Sequence, residues 1–352
     1  MKPLNMAASQ TLKQQRTTLA RAIISRLYDL HPQDWSGTQE SRTTSLRDTL
    51  YHLDYLSEAV ADDAPALFNT YAAWVKSVLT SRHLPVDIME HTLACMRVTM
   101  QAELLADEAC LVDEYIAQCM QYLPTAPLTP PLFVHDSLPL GGLAKEYLDT
   151  LLGGDRRAAS ELILAAVARG VNIQDIYLHV FQRTQYEIGR LWQINQITVA
   201  QEHFCTAATQ LIMSQLYPHI FNTNRIGRRL VATCIGGELH EIGARMVADF
   251  FEMAGWDTYY LGANTPAESI IRTLAERRAH VLGISATMTY HVSQVSELIA
   301  QVRASDAGQH VKIIVGGYPF KTSDGLWRAV EADGYAPDAR QAVSLATDLV
   351  TA

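Results

Sequence analysis

The first third of the chain has a helical pattern of apolar and polar positions. Apolar residues recur there at intervals of three and four, as they do along one face of an α-helix. The pattern covers residues 19–30, 45–60, 65–82 and 86–105. Pro65 and Pro85 stand where two of these helices are expected to begin, because the first helical turn can spare an N–H group. We therefore predict an all-helical domain over residues 1–121.

A group of prolines separates this region from a second helical one. Five prolines and a closing Gly-Gly pair lie within residues 122–142. Because proline blocks helix formation and favours extended chain, this stretch predicts a semi-rigid linker. Four further helical patterns follow, at residues 141–154, 156–170, 172–194 and 198–217. Their short connections predict an antiparallel four-helix bundle over residues 143–223.

The hydrophobic period changes after Arg228. Short, β-rich apolar runs alternate with amphipathic helical patterns from there to the end of the chain. The runs lie at 228–236, 257–263, 279–288 and 311–317, with a weak fifth at 334–337. Alternation of this kind predicts a doubly wound, parallel α/β sheet over residues 224–352. In such sheets a ligand binds outside the carboxyl ends of the strands.

The composition of the chain argues against nucleic acid and membranes as binding partners. The 352 residues carry 28 Lys and Arg against 37 Asp and Glu, a formal charge of −9. That balance argues against a protein that binds nucleic acid through its phosphates. No apolar stretch is long enough to span a bilayer, and the N-terminus has no signal-peptide core. The five cysteines are scattered and form no Cys-x-x-Cys pair. We expect a cytoplasmic protein with reduced thiols and no membrane partner.

The loops after the predicted strands carry the candidate chemistry. If the strands are parallel, these loops meet at one edge of the sheet. The candidate residues there are Glu238, Leu239, His240, Glu241, Ile242 and Gly243 after the first strand, Gly262 after the second, Ser285 and Thr287 after the third, and Gly316, Gly317 and Tyr318 after the fourth. His240 alone could be an ordinary turn residue. An array of four such loops in one sheet favours a ligand site.

This set resembles the cobalamin-binding domain. The acid-x-His-x-x-Gly motif of that family is matched by Glu238, His240 and Gly243. The resemblance implies that His240 binds cobalt as the lower axial ligand, while the nucleotide tail of the cofactor lies in a slot near Gly316 and Gly317. Imidazole suits cobalt as a ligand, and Glu238 could accept its other ring N–H.

The bundle carries a second motif. In GRLWQINQITVAQEHF, nine residues separate Trp192 from the pair Glu202 and His203. This spacing resembles the helical cap of CarH-type photoreceptors, in which the aromatic ring and the Glu-His pair cover the upper ligand of adenosylcobalamin. One departure is Gln193, which stands where those proteins often have a second cobalt-binding histidine. His179 or His203 could substitute for it, or water could fill the site.

The resemblance leaves two functions open. The first is a light sensor in which light cleaves the cobalt–carbon bond of adenosylcobalamin. The cleavage would change the assembly of a dimer or tetramer, and this change would be passed to an unknown protein partner. The second is a corrinoid methyl carrier of a methyltransferase system. Glu238 in place of the usual Asp, and Ala244-Arg245 in place of Lys-Asn, favour the sensor. On that interpretation the chain is a signalling protein and not an enzyme.

The N-terminal domain shows no winged-helix pattern with a basic recognition helix. The order of the three regions, with the helical domain before the bundle and the cobalamin domain, is similar to that of photocobilins. Those proteins bind a bilin such as biliverdin in addition to the cobalamin. Residues of the type that a bilin would need are Trp74, Arg82, His83, His91, Cys95 and Arg97. The alternative, an ordinary aromatic core with a solvated basic edge, accounts for the same residues.

Overall fold

The computed structural model describes residues 2–32, 38–85 and 87–351. These residues form two compact units. One comprises Met1–Thr129 with Thr322–Ala329, and the other comprises Pro130–Lys321 with Val330–Ala352.

Up to residue 129, the described part of the chain contains six helices. They are α1 (Pro3–Gln14), α2 (Arg16–Leu30), α3 (Gln39–Ala61), α4 (Pro65–Ser81), α5 (Ile88–Glu103) and α6 (Ala106–Tyr122). The four predicted helices correspond to α2 to α5. Pro65 is the first residue of α4, as expected, and the hydroxyl of Thr38 caps α3 by accepting from the amide of Ser41. Helices α1 and α6 were not predicted, although α6 buries Ala109, Val112 and Ile116 at helical spacing.

The proline-rich stretch is irregular, but its ends differ from the prediction. A 3-10 turn, Leu123–Thr125, follows α6 directly. The Gly-Gly pair belongs to the next helix, α7, which begins at Gly141. A Cβ atom at position 141 would overlap the carbonyl oxygen of His135, so a glycine lets the incoming chain pass close to the helix.

Four helical segments form the bundle in residues 141–215, all of which the structure describes. The first two are α7 (Gly141–Leu152) and α8 (Arg156–Ala168). The third combines α9 (Ile173–Asp175), a π-helical turn (Ile176–Phe181) and α10 (Gln182–Gln193), and α11 (Val199–Gln215) is the fourth. They share one apolar core that includes Tyr147, Phe181 and Ile212. A short helix, α12 (Tyr217–Ile220), leads out of the bundle.

The rest of the chain forms a parallel sheet, as predicted. Its strands in the described residues are β1 (Arg229–Cys234), β2 (Asp257–Tyr260), β3 (Val281–Ser285), β4 (Lys312–Gly316) and β5 (Gly334–Tyr335). They are ordered β2-β1-β3-β4-β5, and every pairing is parallel. The weak fifth strand is therefore confirmed. The strand order reverses between β1 and β3, and a ligand crevice is expected at the carboxyl ends of those two strands.

Helices connect the strands. They are α13 (Ile242–Met253), α14 (Ala267–Arg277), α15 (Val292–Ala304), α16 (Tyr318–Thr322), α17 (Leu326–Ala329) and α18 (Ala339–Thr351). The amphipathic pattern of residues 321–332 suggests one helix, but the structure has two short helices there, α16 and α17. Gly325 lies between them with a φ of +83°, a left-handed conformation that ends a helix.

The bundle packs directly on the sheet domain within the second unit. Met246 and Phe250 of α13 belong to the apolar core of the bundle. The hydroxyl of Tyr177, in the π-helical turn, donates a 2.8 Å hydrogen bond to Asp249 Oδ2. This packing places the bundle against the carboxyl-end loops that follow β1.

Candidate functional site

A hydrogen-bonded pair of side chains occupies the loop between β1 and α13. Glu238 is fully buried, whereas the side chain of His240 is 61% exposed. His240 Nδ1 lies 2.5 Å from Glu238 Oε1, and the same oxygen accepts from the backbone amides of Leu239 and His240 at 3.0 Å. Within the described residues, His240 Nε2 has no hydrogen-bond partner. The loop thus presents an imidazole whose Nδ1 is held and whose Nε2 is available.

The other carboxylate oxygen of Glu238 reaches the loop after β3. Oε2 accepts from the backbone amides of Thr287 at 2.7 Å and Met288 at 3.1 Å. His291 Nδ1 lies 3.3 Å from the same atom. One buried side chain therefore joins the β1 and β3 loops across the point where the strand order reverses.

These contacts set the charge of the pair. Burial by itself would raise the pKa of Glu238, but hydrogen bonds from His240, His291 and the amides of His240 and Thr287 outweigh it, so the pKa is well below its usual range. The hydrogen bond to Glu238 raises the pKa of His240 against the opposing effect of burial. The charge of Glu202, on α11 of the bundle, acts in the same direction. Glu202 is therefore near enough to His240 to act on it electrostatically.

Glycines shape the surrounding loops. Gly237 has a φ of +78°, and its amide donates a 2.7 Å hydrogen bond to Asn264 Oδ1. Gly262 has a φ of +73°. Gly317 has a φ of +109°, and a Cβ atom there would overlap the carbonyl of Ala286. At Gly316 a Cβ atom would make only an ordinary contact. The strand-end loops therefore approach one another closely through backbone atoms.

The remaining residues predicted around His240 divide between two environments. Leu239 is exposed, and so is Gly243, the second residue of α13. Glu241 instead links the bundle to the sheet, since its carboxylate accepts from Gln210 Nε2 at 2.8 Å and from the Tyr260 hydroxyl at 3.3 Å. Ile242 packs against the bundle core.

The residues after β3 and β4 lie at the same edge of the sheet. Ser285 is the last residue of β3, half-buried, and Thr287 contributes its backbone amide to Glu238. Tyr318 begins α16 and is exposed. The structure thus brings the four predicted loops together at the carboxyl end of the sheet.

The predicted cap residues lie on the bundle. Trp192, near the end of α10, is half-buried and packs against the bundle core. Glu202 and His203 are joined by a 2.5 Å contact between Oε2 and Nδ1, and the other oxygen of Glu202 accepts from Thr206. His203 is exposed. His179, the other histidine considered as a cobalt ligand, lies in the π-helical turn.

His291 is the residue that the sequence analysis missed. It is buried and lies 53 positions after Glu238, so no local motif connects them. The available signal was a second histidine in a strand-end loop, just before the helix that follows β3.

The residues considered for a bilin lie on or beside α4 and α5 of the N-terminal unit. Arg97 forms a two-pronged ion pair with Asp113, at 2.6 and 2.7 Å. His91 stacks on His31 with ring centroids 3.8 Å apart. Cys95 is buried, and burial raises the pKa of its thiol. Trp74 is partly exposed on α4, Arg82 donates to the carbonyl of Val78, and His83 follows with a positive φ.

Comparison with known families identifies both parts of the second unit. Residues 228–344 match one family model described as a B12 binding domain, and residues 143–217 match a second with the same description. Each of the two regions is thus similar to a B12 binding domain. Both matches support a cobalamin or corrinoid cofactor, but they show neither the predicted adenosyl group nor biliverdin.

Curated relatives agree with these matches. A corrinoid protein of Desulfitobacterium hafniense is 24% identical over 212 residues, covering 59% of this chain and 97% of the relative. Dimethylamine corrinoid protein 1 of Methanosarcina mazei is 26% identical over 192 residues, covering 54% and 82%. Trimethylamine corrinoid protein 1 of the same organism is 27% identical over 203 residues, covering 56% and 91%.

A solved structure shows the same fold. The Methanosarcina barkeri monomethylamine corrinoid protein superposes with a TM-score of 0.54 at 22% identity, covering 60% of this chain and all of that one. The bundle followed by the parallel sheet is therefore the arrangement of a corrinoid protein.

These findings correct the functional prediction. The relatives are named as corrinoid proteins, two of them for dimethylamine and trimethylamine, and neither they nor the family models support a CarH-type photoreceptor or a photocobilin. The light-sensor hypothesis is wrong, and the comparisons give no support to the bilin or to the light-dependent assembly. Glu238 in place of the usual Asp does not favour a sensor, because its longer side chain still reaches His240 Nδ1. The alternative function agrees with the comparisons.

The structure also bears on the predicted absence of a membrane partner. In the part of the chain that it describes, no helix combines the length and the apolar character needed to cross a bilayer.

Proposed function

We propose that this chain is a corrinoid-binding protein that carries methyl groups within a methyltransferase system. One observation carries the proposal: an exposed imidazole, His240, is tied through Nδ1 to a buried carboxylate inside a B12 binding domain. The similar proteins named for dimethylamine and trimethylamine point to a methylated amine as the class of methyl source.

The donor atoms of the site fit a cobalt corrinoid. Cobalt is of borderline softness and accepts imidazole nitrogen readily. Because Glu238 accepts the Nδ1–H of His240, the lone pair of the ring is left on Nε2. Gly237, Gly262 and Gly317 have positive φ angles and place no side chain at these three positions of the strand-end loops. Ser285, Thr287, Gly316 and Gly317 are the residues that would contact a nucleotide tail.

The two domains would have different tasks. When bound, the corrinoid supplies a cobalt centre that accepts and releases a methyl group. His240 would hold this centre from the side of the sheet, and Glu238 would fix the orientation of the ring. Trp192, Glu202 and His203 would cover the opposite face and limit the access of water.

A methyl carrier acts between other proteins. It receives its group from one enzyme and delivers it to another, so a protein partner is part of the proposal. The upper group is then methyl in place of the predicted adenosyl. Self-association stays a prediction, which sedimentation of the full chain would test.

Cobalt ligation by His240 has a direct test. We expect the full chain to retain hydroxocobalamin on gel filtration. After reduction to the Co(II) form, electron paramagnetic resonance of protein made with ¹⁵N-labelled histidine should show the two-line splitting of a ¹⁵N ligand, which the unlabelled benzimidazole of the cofactor cannot give. His240→Ala should remove that splitting and weaken binding by about 100-fold or more, because loss of a residue that only orients a metal ligand already costs about 10- to 100-fold. His203→Ala, which removes an exposed imidazole of the bundle, should keep the splitting. Unchanged splitting in His240→Ala would contradict the proposal.

Methyl carriage needs a second measurement. The loaded chain, reduced to the Co(I) form, is mixed with radiolabelled mono-, di- or trimethylamine and the methyltransferase that acts on that amine. We expect label to accompany the protein through desalting, and none to do so with His240→Ala. Absence of label with all three amines would leave a corrinoid-binding protein but exclude a carrier for this substrate class.

A further inference from the structure

Gln210, on helix α11 of the bundle, is bonded to the sheet domain through both its side chain and its backbone. Its side-chain Nε2 donates a 2.8 Å hydrogen bond to Glu241 Oε1. Its backbone carbonyl accepts from Arg245 Nη1 at 3.1 Å. Glu241 directly precedes α13 and Arg245 lies four positions later, so the two side chains lie on the same face of that helix. Two residues of one helix face therefore hold a single residue of the bundle.

Both of these sheet-domain residues have further bonds. The Tyr260 hydroxyl lies 3.2 Å from the backbone oxygen of Glu241 and 3.3 Å from its Oε2. Arg245 Nη2 donates to Ser214 Oγ at 2.6 Å and to the Tyr217 hydroxyl at 3.2 Å. Ser214 lies in the last turn of α11, where a positive charge also interacts favourably with the helix dipole. The contact thus fixes the end of α11 against the start of α13.

This contact joins two elements that the proposed function places on opposite faces of the corrinoid. His240, the proposed lower ligand, is the residue before Glu241 in the loop after β1. Glu202, a proposed cover residue, lies eight positions before Gln210 on the same helix, about 12 Å along its axis. The distance between the ligand loop and the covering helix therefore depends on how Gln210 is held.

We propose that Gln210 is a positioning residue for the cover of the corrinoid: its bonds to Glu241 and Arg245 keep α11 closed over the upper face of the cofactor. The inference rests on the proposed function, because the bundle has a face to cover only if the corrinoid binds at His240. A methyl carrier has to expose that face to its partner enzymes. Hydrogen bonds of half-buried side chains suit this task, since water can replace them when the bundle moves.

Two variants remove the two bonds separately. Gln210→Met keeps a long side chain but removes the donor to Glu241, and Arg245→Met removes the donor to the carbonyl. A double exchange, Gln210→Glu with Glu241→Gln, restores a side-chain hydrogen bond in the opposite direction, because the amide then donates to the new carboxylate. Arg303→Met is the matched control, since Arg303 bonds to Asp333 within the sheet domain.

The measurement is the access of a small ligand to cobalt. The full chain and each variant are loaded with hydroxocobalamin, and the replacement of hydroxide by cyanide is followed by absorbance, at concentrations at which one cyanide binds. Cyanide reacts in the molecules whose upper face is open, so the rate reports the fraction that is open.

We expect Gln210→Met and Arg245→Met each to accelerate this exchange by about 10-fold, the usual effect on an equilibrium of losing one hydrogen bond to a charged group. The double exchange and Arg303→Met should react like the unsubstituted chain. All of these variants should keep the ¹⁵N splitting from His240, which shows that they fold around the cofactor. In the cofactor-free chain, amide hydrogen exchange of residues 199–206 should become faster in Gln210→Met and return to its original rate in the double exchange.

The outcomes distinguish this inference from the proposed function. If the unsubstituted chain shows no His240-dependent splitting, both are wrong. If it shows the splitting but Gln210→Met exchanges cyanide at the same rate, only the role of Gln210 is wrong. The same holds if the double exchange reacts as fast as Gln210→Met, because the effect would then not follow the hydrogen bond. An equal acceleration in Arg303→Met would also overturn the role of Gln210, since loss of any arginine in the sheet domain would have the same effect.

Discussion

At the scale of single residues, the site depends on backbone conformations that only some side chains allow. The clearest pair is Gly316 and Gly317 at the end of β4. Position 317 combines a φ of +109° with a hypothetical Cβ that overlaps the carbonyl of Ala286, whereas position 316 has neither restriction. The backbone conformation therefore requires glycine at position 317 but not at position 316.

This difference predicts different results for the two alanine variants. Gly317→Ala should lower the free energy of unfolding by about 2 kcal/mol or more, because a strained φ costs about 1–3 kcal/mol and the overlap adds to it. Gly316→Ala should cost less than about 1 kcal/mol. Urea titrations of both variants measure this. Equal losses would show that strain at position 317 is not the cause.

At the same scale, the sequence reveals only part of the site. The spacing of Glu238 and His240 suggests their hydrogen bond, since two residues of one turn can meet. The link from Glu238 to His291 spans 53 positions and depends on the parallel order of β1 and β3. No local pattern contains that information. Glu241 illustrates the reverse case, because its position in the motif suggested a cofactor ligand but its carboxylate bonds to the bundle.

At the scale of elements, strands were easier to predict than short helices. The buried strands are continuous apolar runs in the sequence. Even β5, which has only two residues, was recognisable, because it begins with a glycine and is soon followed by a proline. The separation of α16 and α17 was not, because residues 321–332 keep a helical pattern across Gly325 and the left-handed turn there depends on tertiary context.

Helix α13 carries a buried acid that predicts a pH effect. Burial raises the pKa of Asp249 from 3.8 to about 6, although Tyr177 and Arg245 oppose the shift. A raised folded-state pKa gives stability that is complete below pH 3.8 and is lost as the pH rises through about 6. The loss amounts to roughly 3 kcal/mol.

Asp249→Asn is the test of this effect. It keeps an oxygen for the Tyr177 hydroxyl but cannot ionise. We expect the variant to equal the unsubstituted chain near pH 4 and to exceed it by roughly 2–3 kcal/mol near pH 7, in urea unfolding followed by circular dichroism. A difference that does not change with pH would show that Asp249 is not the titrating group.

Helix α10 contains a buried ion pair that fixes the chain before the bundle. Arg190 and Glu187 form a 2.6 Å contact, with 7% and 5% of their side chains exposed. The other oxygen of Glu187 accepts from the amide of Phe133. The pair therefore connects the end of the proline-rich stretch to the helix that carries Trp192.

Glu187→Ala should destabilise the second unit by about 3–5 kcal/mol, because it leaves a buried arginine without its partner. The double variant Glu187→Leu with Arg190→Met should recover most of that loss, since apolar side chains can replace a buried pair. Thermal unfolding compares the three proteins. A double variant as unstable as the single one would mean that the bond to Phe133 dominates.

At the scale of the whole molecule, the curated relatives match a little over half of this chain while covering most of their own length. The matched regions begin at residue 143. The helices before the proline-rich stretch are thus an addition to the part of the chain that resembles corrinoid proteins. The net charge of −9 and the absence of a basic motif give no reason to connect that addition with nucleic acid.

The junction between these parts should be the preferred site of limited proteolysis. Leu128 and Leu132 are exposed in irregular chain, and thermolysin cleaves before leucine. We predict an early cut at one of them and retention of cobalamin by the larger, C-terminal fragment. Mass spectrometry of a short digest identifies the cut. Release of the cofactor with the first cleavage would show that the N-terminal helices are needed to hold it.

The π-helical turn at Ile176–Phe181 has a consequence for how the bundle tolerates changes in length. Such a turn contains one residue more than an α-helical turn. Because the wider turn absorbs its extra residue, deleting one residue there and restoring α-helical winding would leave the later residues of α10 on nearly the same face. Trp192 would keep its direction, whereas the same deletion within the α-helical part of α10 would turn it by about 100° about the helix axis. The π-helical turn therefore gives this helix a position at which one residue can be lost without turning the indole.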